Sequence, residues 1–168
     1  MITAVLGDIT ALSTDAIVNA ANSTLLGGGG VDGAVHRKAG PELKSVCALL
    51  GGCETGQAKT TGAFSLPCKY VIHTVGPVWQ GGTRGEADLL ESCYKNAITE
   101  AIRVNAKSIA FPAISTGVYG YPFREAAEIA VNTVRKNCPE NLDVIFCCFS
   151  EKDLEVYEEL LESYSRPN

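Results

Sequence analysis

The chain is 168 residues long, 46% hydrophobic and 20% charged, the composition of a globular protein with length enough to bury a core in one domain. A formal charge of −5 argues against a protein that binds nucleic acid by neutralising phosphates, although main-chain N–H groups can hold a small phosphorylated ligand without Lys or Arg. No apolar run approaches the roughly 20 residues needed to span a bilayer, and MITAVLGDIT lacks the basic and apolar stretches of a leader, so neither a membrane partner nor a signal peptide is expected.

Strand and helix patterns alternate along the chain. ITAVL (2–6) and AIVNA (16–20) read as the first two strands. Helical spacing follows in VDGAVHRKAG and PELKSVCALLG. AKTTGAF (58–64) is a weaker strand candidate, and KYVIHTVG (69–76) a stronger one. GEADLLESCYKNAITEAIRVN then reads as a helix, SIAFPAI (108–114) as a strand, REAAEIAVNTVRKN as a helix and DVIFCCF (143–149) as the last strand. EKDLEVYEELLESY is a closing helix with Ser150 as its cap and acids in its first turn. Strands that are apolar on both faces, separated by helices, predict a three-layer α/β/α domain. Its central sheet of about six strands is mixed and mostly parallel. Neither a repeat nor a linker is evident, so residues 1–168 read as a single domain.

In such sheets ligands sit beyond the carboxyl ends of the strands. This chain concentrates its unusual residues there. Asp8 follows the first strand, where it suits either capping its own turn or accepting from an amino group such as that of adenine. Asn22 follows the second strand and suits either turn chemistry or a sugar hydroxyl. GGGG (27–30) then enters a helix, which favours close approach of backbone to an anion. The run lacks the Gly-Lys-Ser/Thr of a Walker loop and the spacing of a dinucleotide fingerprint. STGVYGYP (115–122) offers a second glycine-bearing loop, and two such loops at neighbouring strand ends suggest a diphosphate held from both sides. Phe149, ending the last strand, suits either the core or stacking on a base. Asp32, in the first turn of its helix, suits a base or water-orienting group better than a general acid, because the dipole favours its carboxylate.

Seven cysteines without a C-x-x-C pair, none in metal-ligand spacing with either histidine, read as reduced thiols of a cytoplasmic protein, with no disulfide framework and no metal. His36 and His73 read as packing residues.

Taken together, GDIT, AIVNAANSTLLGGGGVDGAVHRKAG, CETGQA, VIHTVGPVW and FPAISTGVYGYP resemble the macrodomain family, specifically its MacroD-type branch, over nearly the whole chain. The resemblance implies a hydrolase that deacetylates O-acetyl-ADP-ribose and removes mono-ADP-ribose from acidic side chains of proteins, without cofactor or metal. It also implies roles. Asp8 with the Ile9 backbone would bind adenine, and Phe149 would lie at the adenosine end. Gly30 and Val31 would donate to one side of the diphosphate, and Ser115, Thr116, Gly117, Val118 and Tyr119 would close over the other. Asn22 would hold the distal ribose, and Asp32 would position or deprotonate the attacking water. Its partners would be ADP-ribose, its esters and mono-ADP-ribosylated proteins. The alternative is a reader that binds ADP-ribose without turning it over.

Overall fold

A computed structural model of the chain describes residues 1–165. Six strands, β1 (Ile2–Leu6), β2 (Ala16–Ala20), β3 (Ala58–Gly62), β4 (Tyr70–Thr74), β5 (Ser108–Phe111) and β6 (Asp143–Cys148), form one sheet in the order β1-β6-β5-β2-β4-β3. Every neighbouring pair is parallel except β3–β4. The mixed, mostly parallel sheet expected from the apolar runs is therefore present, with its antiparallel strand at one edge.

Five helices cover it: α1 (Gly30–Ala39), α2 (Pro41–Leu49), α3 (Glu86–Arg103), α4 (Phe123–Asn137) and α5 (Glu151–Ser165). Gly40, at φ 95°, turns α1 directly into α2, and Pro41 occupies a first-turn position where its missing N–H is harmless. Alternation along the strands separates two cores. Ile17 and Val71 face α1 and α2, packing with Val35, Leu43 and Cys47. Val18 and Ile72 face the other way, into a larger core with Tyr94, Phe111, Phe146 and Tyr157 under α3, α4 and α5. Rings dominate that core, with Tyr94–Phe111 centroids 5.0 Å apart and Phe146–Tyr157 4.9 Å apart. In α4 the buried Ala126, Ala127, Ala130, Val131 and Val134 form the apolar stripe that meets it. The Ser150 hydroxyl accepts from the Asp153 N–H at 3.2 Å, capping α5 as the sequence suggests.

Several strands end sooner than their apolar runs. β5 stops before Pro112, which has no N–H to give a ladder. β6 stops at Cys148, leaving Phe149 outside the sheet. β3 stops at Gly62, and Phe64 beyond it is left-handed at φ 54°. All seven cysteines are free, and burial pushes the thiols up, to about 11 at Cys68 and Cys93 and about 12 at Cys148.

The loop between β4 and α3 is held by one carboxylate. Glu86 is buried, and its oxygens accept from the N–H groups of Gln80 and Gly82 at 2.9 Å and of Arg84. Burial acts to raise its pKa, but the backbone donors prevail and hold it at about 2, against an ordinary 4.5. A carboxyl depressed in the folded state stabilises above its ordinary value and loses that contribution as pH falls toward the folded value. Glu86→Gln should therefore melt below wild type at pH 7. The difference should shrink between pH 4.5 and 2, as followed by thermal melts across that range.

Candidate functional site

Because β1, β6, β5, β2 and β4 run parallel, their carboxyl ends share one edge of the sheet. A pocket of about 280 Å³ opens there, between the glycine loop after β2 and the loop after β5. Its floor is made of small residues, Ala20, Ala21, Gly76 and Ala113.

The glycine loop forms the first wall. Gly29 caps α1 without any side-chain bond. Among the described residues, the N–H groups of Gly30, Val31 and Asp32 find no protein acceptor, as expected at a helix start. A Cβ on Gly33 would lie 2.6 Å from the Gly28 carbonyl oxygen, so the first turn of α1 packs back onto its own loop. Asn22 builds that loop: its Oδ1 accepts from Thr24 Oγ1 at 2.6 Å and from the Leu25 N–H at 3.2 Å, while its Nδ2 donates to Gly27 O at 2.9 Å. It also lines the pocket, so the turn and ligand readings of Asn22 coexist.

The second wall is residues 113–119. Ser115 is left-handed at φ 68°, a conformation costing about 1–3 kcal/mol for a residue with a side chain. Its carbonyl accepts from Tyr121 N at 2.9 Å, and its buried hydroxyl has no hydrogen-bond partner among the described residues. Tyr119 O accepts from Trp79 N at 2.8 Å, tying this wall to the loop that Glu86 holds. The N–H groups of Gly117, Val118 and Tyr119 also donate to nothing among the described residues. Thr116 turns away: its hydroxyl donates to Ala113 O at 2.9 Å and it does not line the pocket.

Asp32 sits between the walls, only 4% exposed. Its Oδ1 accepts from Asn19 Nδ2 at 2.9 Å and lies 3.4 Å from His36 Nε2, one helical turn on. Its Oδ2 lies on the side of Gly28 and Asn22, which line the pocket with it: a Cβ on Gly28 would be 3.1 Å from that oxygen and 3.4 Å from Asn22 Nδ2. The pocket therefore carries two triplets of unused main-chain N–H groups, with a carboxylate and an amide lining it as well. That arrangement suits an anion flanked by a polar group under attack.

Asp8, Ile9 and Phe149 lie outside this pocket, at the adjacent ends of β1 and β6. Asp8 Oδ1 accepts from Thr10 Oγ1 at 2.7 Å and Thr10 N at 2.9 Å, which lower its pKa, so its turn-capping role is realised. Ile9 is buried. Phe149 is 93% exposed, which removes the core reading and leaves a free ring at the strand end.

Three residues near Asp32 escaped notice as site residues: Asn19, His36 and His73. Asn19 and His73 are fully buried polar side chains in strands, a signal available from their apolar neighbours. Burial, reinforced by His36, pushes His73 down to about 4. Among the described residues no three His, Cys, Asp or Glu side chains are grouped to hold a metal ion, and no helix is long and apolar enough to cross a membrane.

A family model described as Macro domain matches residues 18–130, and the chain belongs to that family. It is 56% identical to an O-acetyl-ADP-ribose deacetylase of Klebsiella pneumoniae, covering 95% of both chains. It is 53% identical to the ADP-ribose glycohydrolase MACROD2 of Xenopus laevis, over 94% of this chain and 39% of that one. Among solved structures, an Oceanobacillus iheyensis macrodomain with ADP superposes with a TM-score of 0.92 at 44% identity, over 96% of this chain and 90% of that one.

The floor meets the second wall at Gly76, where a Cβ would strike Ser115 Oγ and lie 2.6 Å from Ile114 Cγ2. Gly76→Ala should destabilise the protein by about 1–3 kcal/mol, the usual penalty of overpacking. Gly117→Ala, whose Cβ would meet nothing within 4 Å, should change stability little. Urea denaturation of both variants checks the contrast.

Proposed function

We propose that the protein is a hydrolase that deacetylates O-acetyl-ADP-ribose and removes mono-ADP-ribose from acidic side chains of proteins, with Asp32 handling the water and no metal required. The observation that carries this reading is the pair of unused N–H triplets on residues lining the pocket's two walls, with Asp32 and the Asn22 amide lining it as well. Backbone donors at Gly30 and Val31 on one side, and at Gly117, Val118 and Tyr119 on the other, take the diphosphate without Lys or Arg, which suits a chain of charge −5. Asp8 receives the adenine amino group through the oxygen Thr10 leaves free, beside the Ile9 backbone, and the exposed Phe149 ring lies against the adenosine end. Ser115 and Thr116 shape the second wall. The relatives' names, a deacetylase and a glycohydrolase of ADP-ribose derivatives, support both ester types as substrates.

In the reaction, water oxygen attacks either the acetyl carbonyl carbon or C1″ of the ribose esterified to Asp or Glu. Asp32 orients the water and takes its proton, with the substrate's own phosphate close enough to assist. The ester bond breaks, releasing a carboxylic acid and ADP-ribose. The free, mostly buried thiols support a reducing, cytoplasmic setting.

Single-turnover release of ADP-ribose from both esters tests this. Asp32→Ala should lose about 10²–10⁴-fold in rate, the range of a general base. Its affinity for ADP-ribose should stay the same or tighten slightly, since a carboxylate beside a dianion is repulsive. Chelator should change neither rate nor affinity in wild type. An Asp32→Ala variant as fast as wild type would overturn the catalytic assignment. Gly117→Glu, which has room for its side chain in the open pocket, should fold normally and abolish ADP-ribose binding in calorimetry by placing negative charge against the diphosphate.

A further inference from the structure

Behind Asp32 runs a chain of buried polar groups that crosses three strands of the sheet. Asn19 on β2 and His73 on β4 are register partners, fully buried on the α1–α2 side. Asn19 Nδ2 lies 2.9 Å from Asp32 Oδ1 and 3.2 Å from His73 Nδ1. His73 Nε2 lies 3.0 Å from the hydroxyl of Thr61 on β3, and the Cys47 thiol of α2 is 3.8 Å from the same nitrogen. The Thr61 hydroxyl in turn donates to Gly62 O at 2.9 Å.

The protons in this chain run in one direction. The Thr61 hydrogen is committed to Gly62 O, so the hydroxyl faces His73 with a lone pair and Nε2 must carry the hydrogen. Neutral His73 then has a bare Nδ1, which accepts one proton of the Asn19 amide. The other amide proton goes to Asp32 Oδ1. Turning the amide over would set its oxygen against the carboxylate, so that orientation is closed. Asn19 Oδ1 has no hydrogen-bond partner among the described residues, although it is buried. The amide is thus held by its two donors and not by its carbonyl.

We propose that His73 is a positioning residue: fixed by Thr61 as the Nε2–H tautomer, it locks the Asn19 amide so that Asp32 Oδ1 is pinned and Oδ2 is left facing the pocket. The inference rests on the assignment of Asp32 as the group that handles the water. The site chemistry is thereby set from the sheet edge, through residues that touch no ligand. Losing the lock lets the carboxylate rotate, which lowers the rate of the chemical step but not the hold on ADP-ribose, a hold made by main-chain donors on the two loops.

Four variants, assayed for single-turnover rate and for ADP-ribose affinity, test this together with a spectroscopic measurement on wild type. Thr61→Val, nearly isosteric and remote from the pocket, should slow the reaction about tenfold, the scale of a small misplacement of a reacting group, with affinity within about twofold. His73→Leu should be slower still. His73→Asn, whose side-chain oxygen can take the place of Nδ1 as acceptor, should recover most of the rate. A purely structural role predicts the opposite order, because the smaller, polar Asn leaves a cavity and melts no higher than Leu. The chain holds two histidines, so nitrogen-15 labelling of the imidazoles gives His73 unambiguously. Its Nε2 should be protonated and its Nδ1 bare. Protonation on Nδ1, or wild-type rates in both Thr61→Val and His73→Leu while Asp32→Ala is inactive, overturns the positioning role alone. A fully active Asp32→Ala overturns the functional reading and this inference with it. Should His73→Leu fail to fold, Thr61→Val and the labelled wild type still decide.

Discussion

Backbone must come close to backbone for this pocket to exist. The loop after β2 is squeezed between the first turn of α1 and the pocket, so that Gly33 leaves no room for a Cβ beside the Gly28 carbonyl. On the far side, Gly76 at the end of β4 is covered by Ser115 and Ile114. Glycine at these points lets two runs of main-chain N–H groups line opposite walls, and the rest of the site follows from that approach. An acidic chain is thereby able to present positive potential to an anion through dipoles alone, leaving its net charge free for solubility.

The strands and the mostly parallel character of the sheet were legible because most strands are buried on both faces, which shows as near-continuous apolar runs, and because helical spacing fills the intervals between them. The lateral order β1-β6-β5-β2-β4-β3 was not. Strand ends were less legible. Pro112 and the left-handed Phe64 terminate pairing more abruptly than the flanking hydrophobicity suggests, and Phe149 extends an apolar run while standing in solvent. The loops of the site were visible as glycine-rich segments at the ends of strands. Their unused N–H groups could not be read from the sequence, because they depend on which carbonyls the turns bring within reach.

The cluster behind Asp32 was hidden for a different reason. Asn19, His73 and Thr61 are far apart in sequence and meet through the lateral registers of β2 with β4 and of β4 with β3. Register is a property of paired strands, and a single strand's pattern carries only which face a residue occupies. His36 stood one turn from Asp32 on the same helix and was within reach of periodicity. Its 3.4 Å approach to the carboxylate follows from that spacing.

The strand order also says something about how the molecule is assembled. β1 pairs with β6 alone, and the amino terminus meets Asp143 at a sequence separation of 142 residues. Closing so long a loop is entropically unfavourable until neighbouring contacts are in place, so this edge docks late. During synthesis β1 has no partner until residue 148 has been made. The β2, β4 and β5 region, with both glycine loops, acquires its neighbours earlier. Asp8 and Phe149 then stand on the last edge to form, and a chain cut short before β6 lacks the strand that β1 needs as its partner, and with it the end where Asp8 sits.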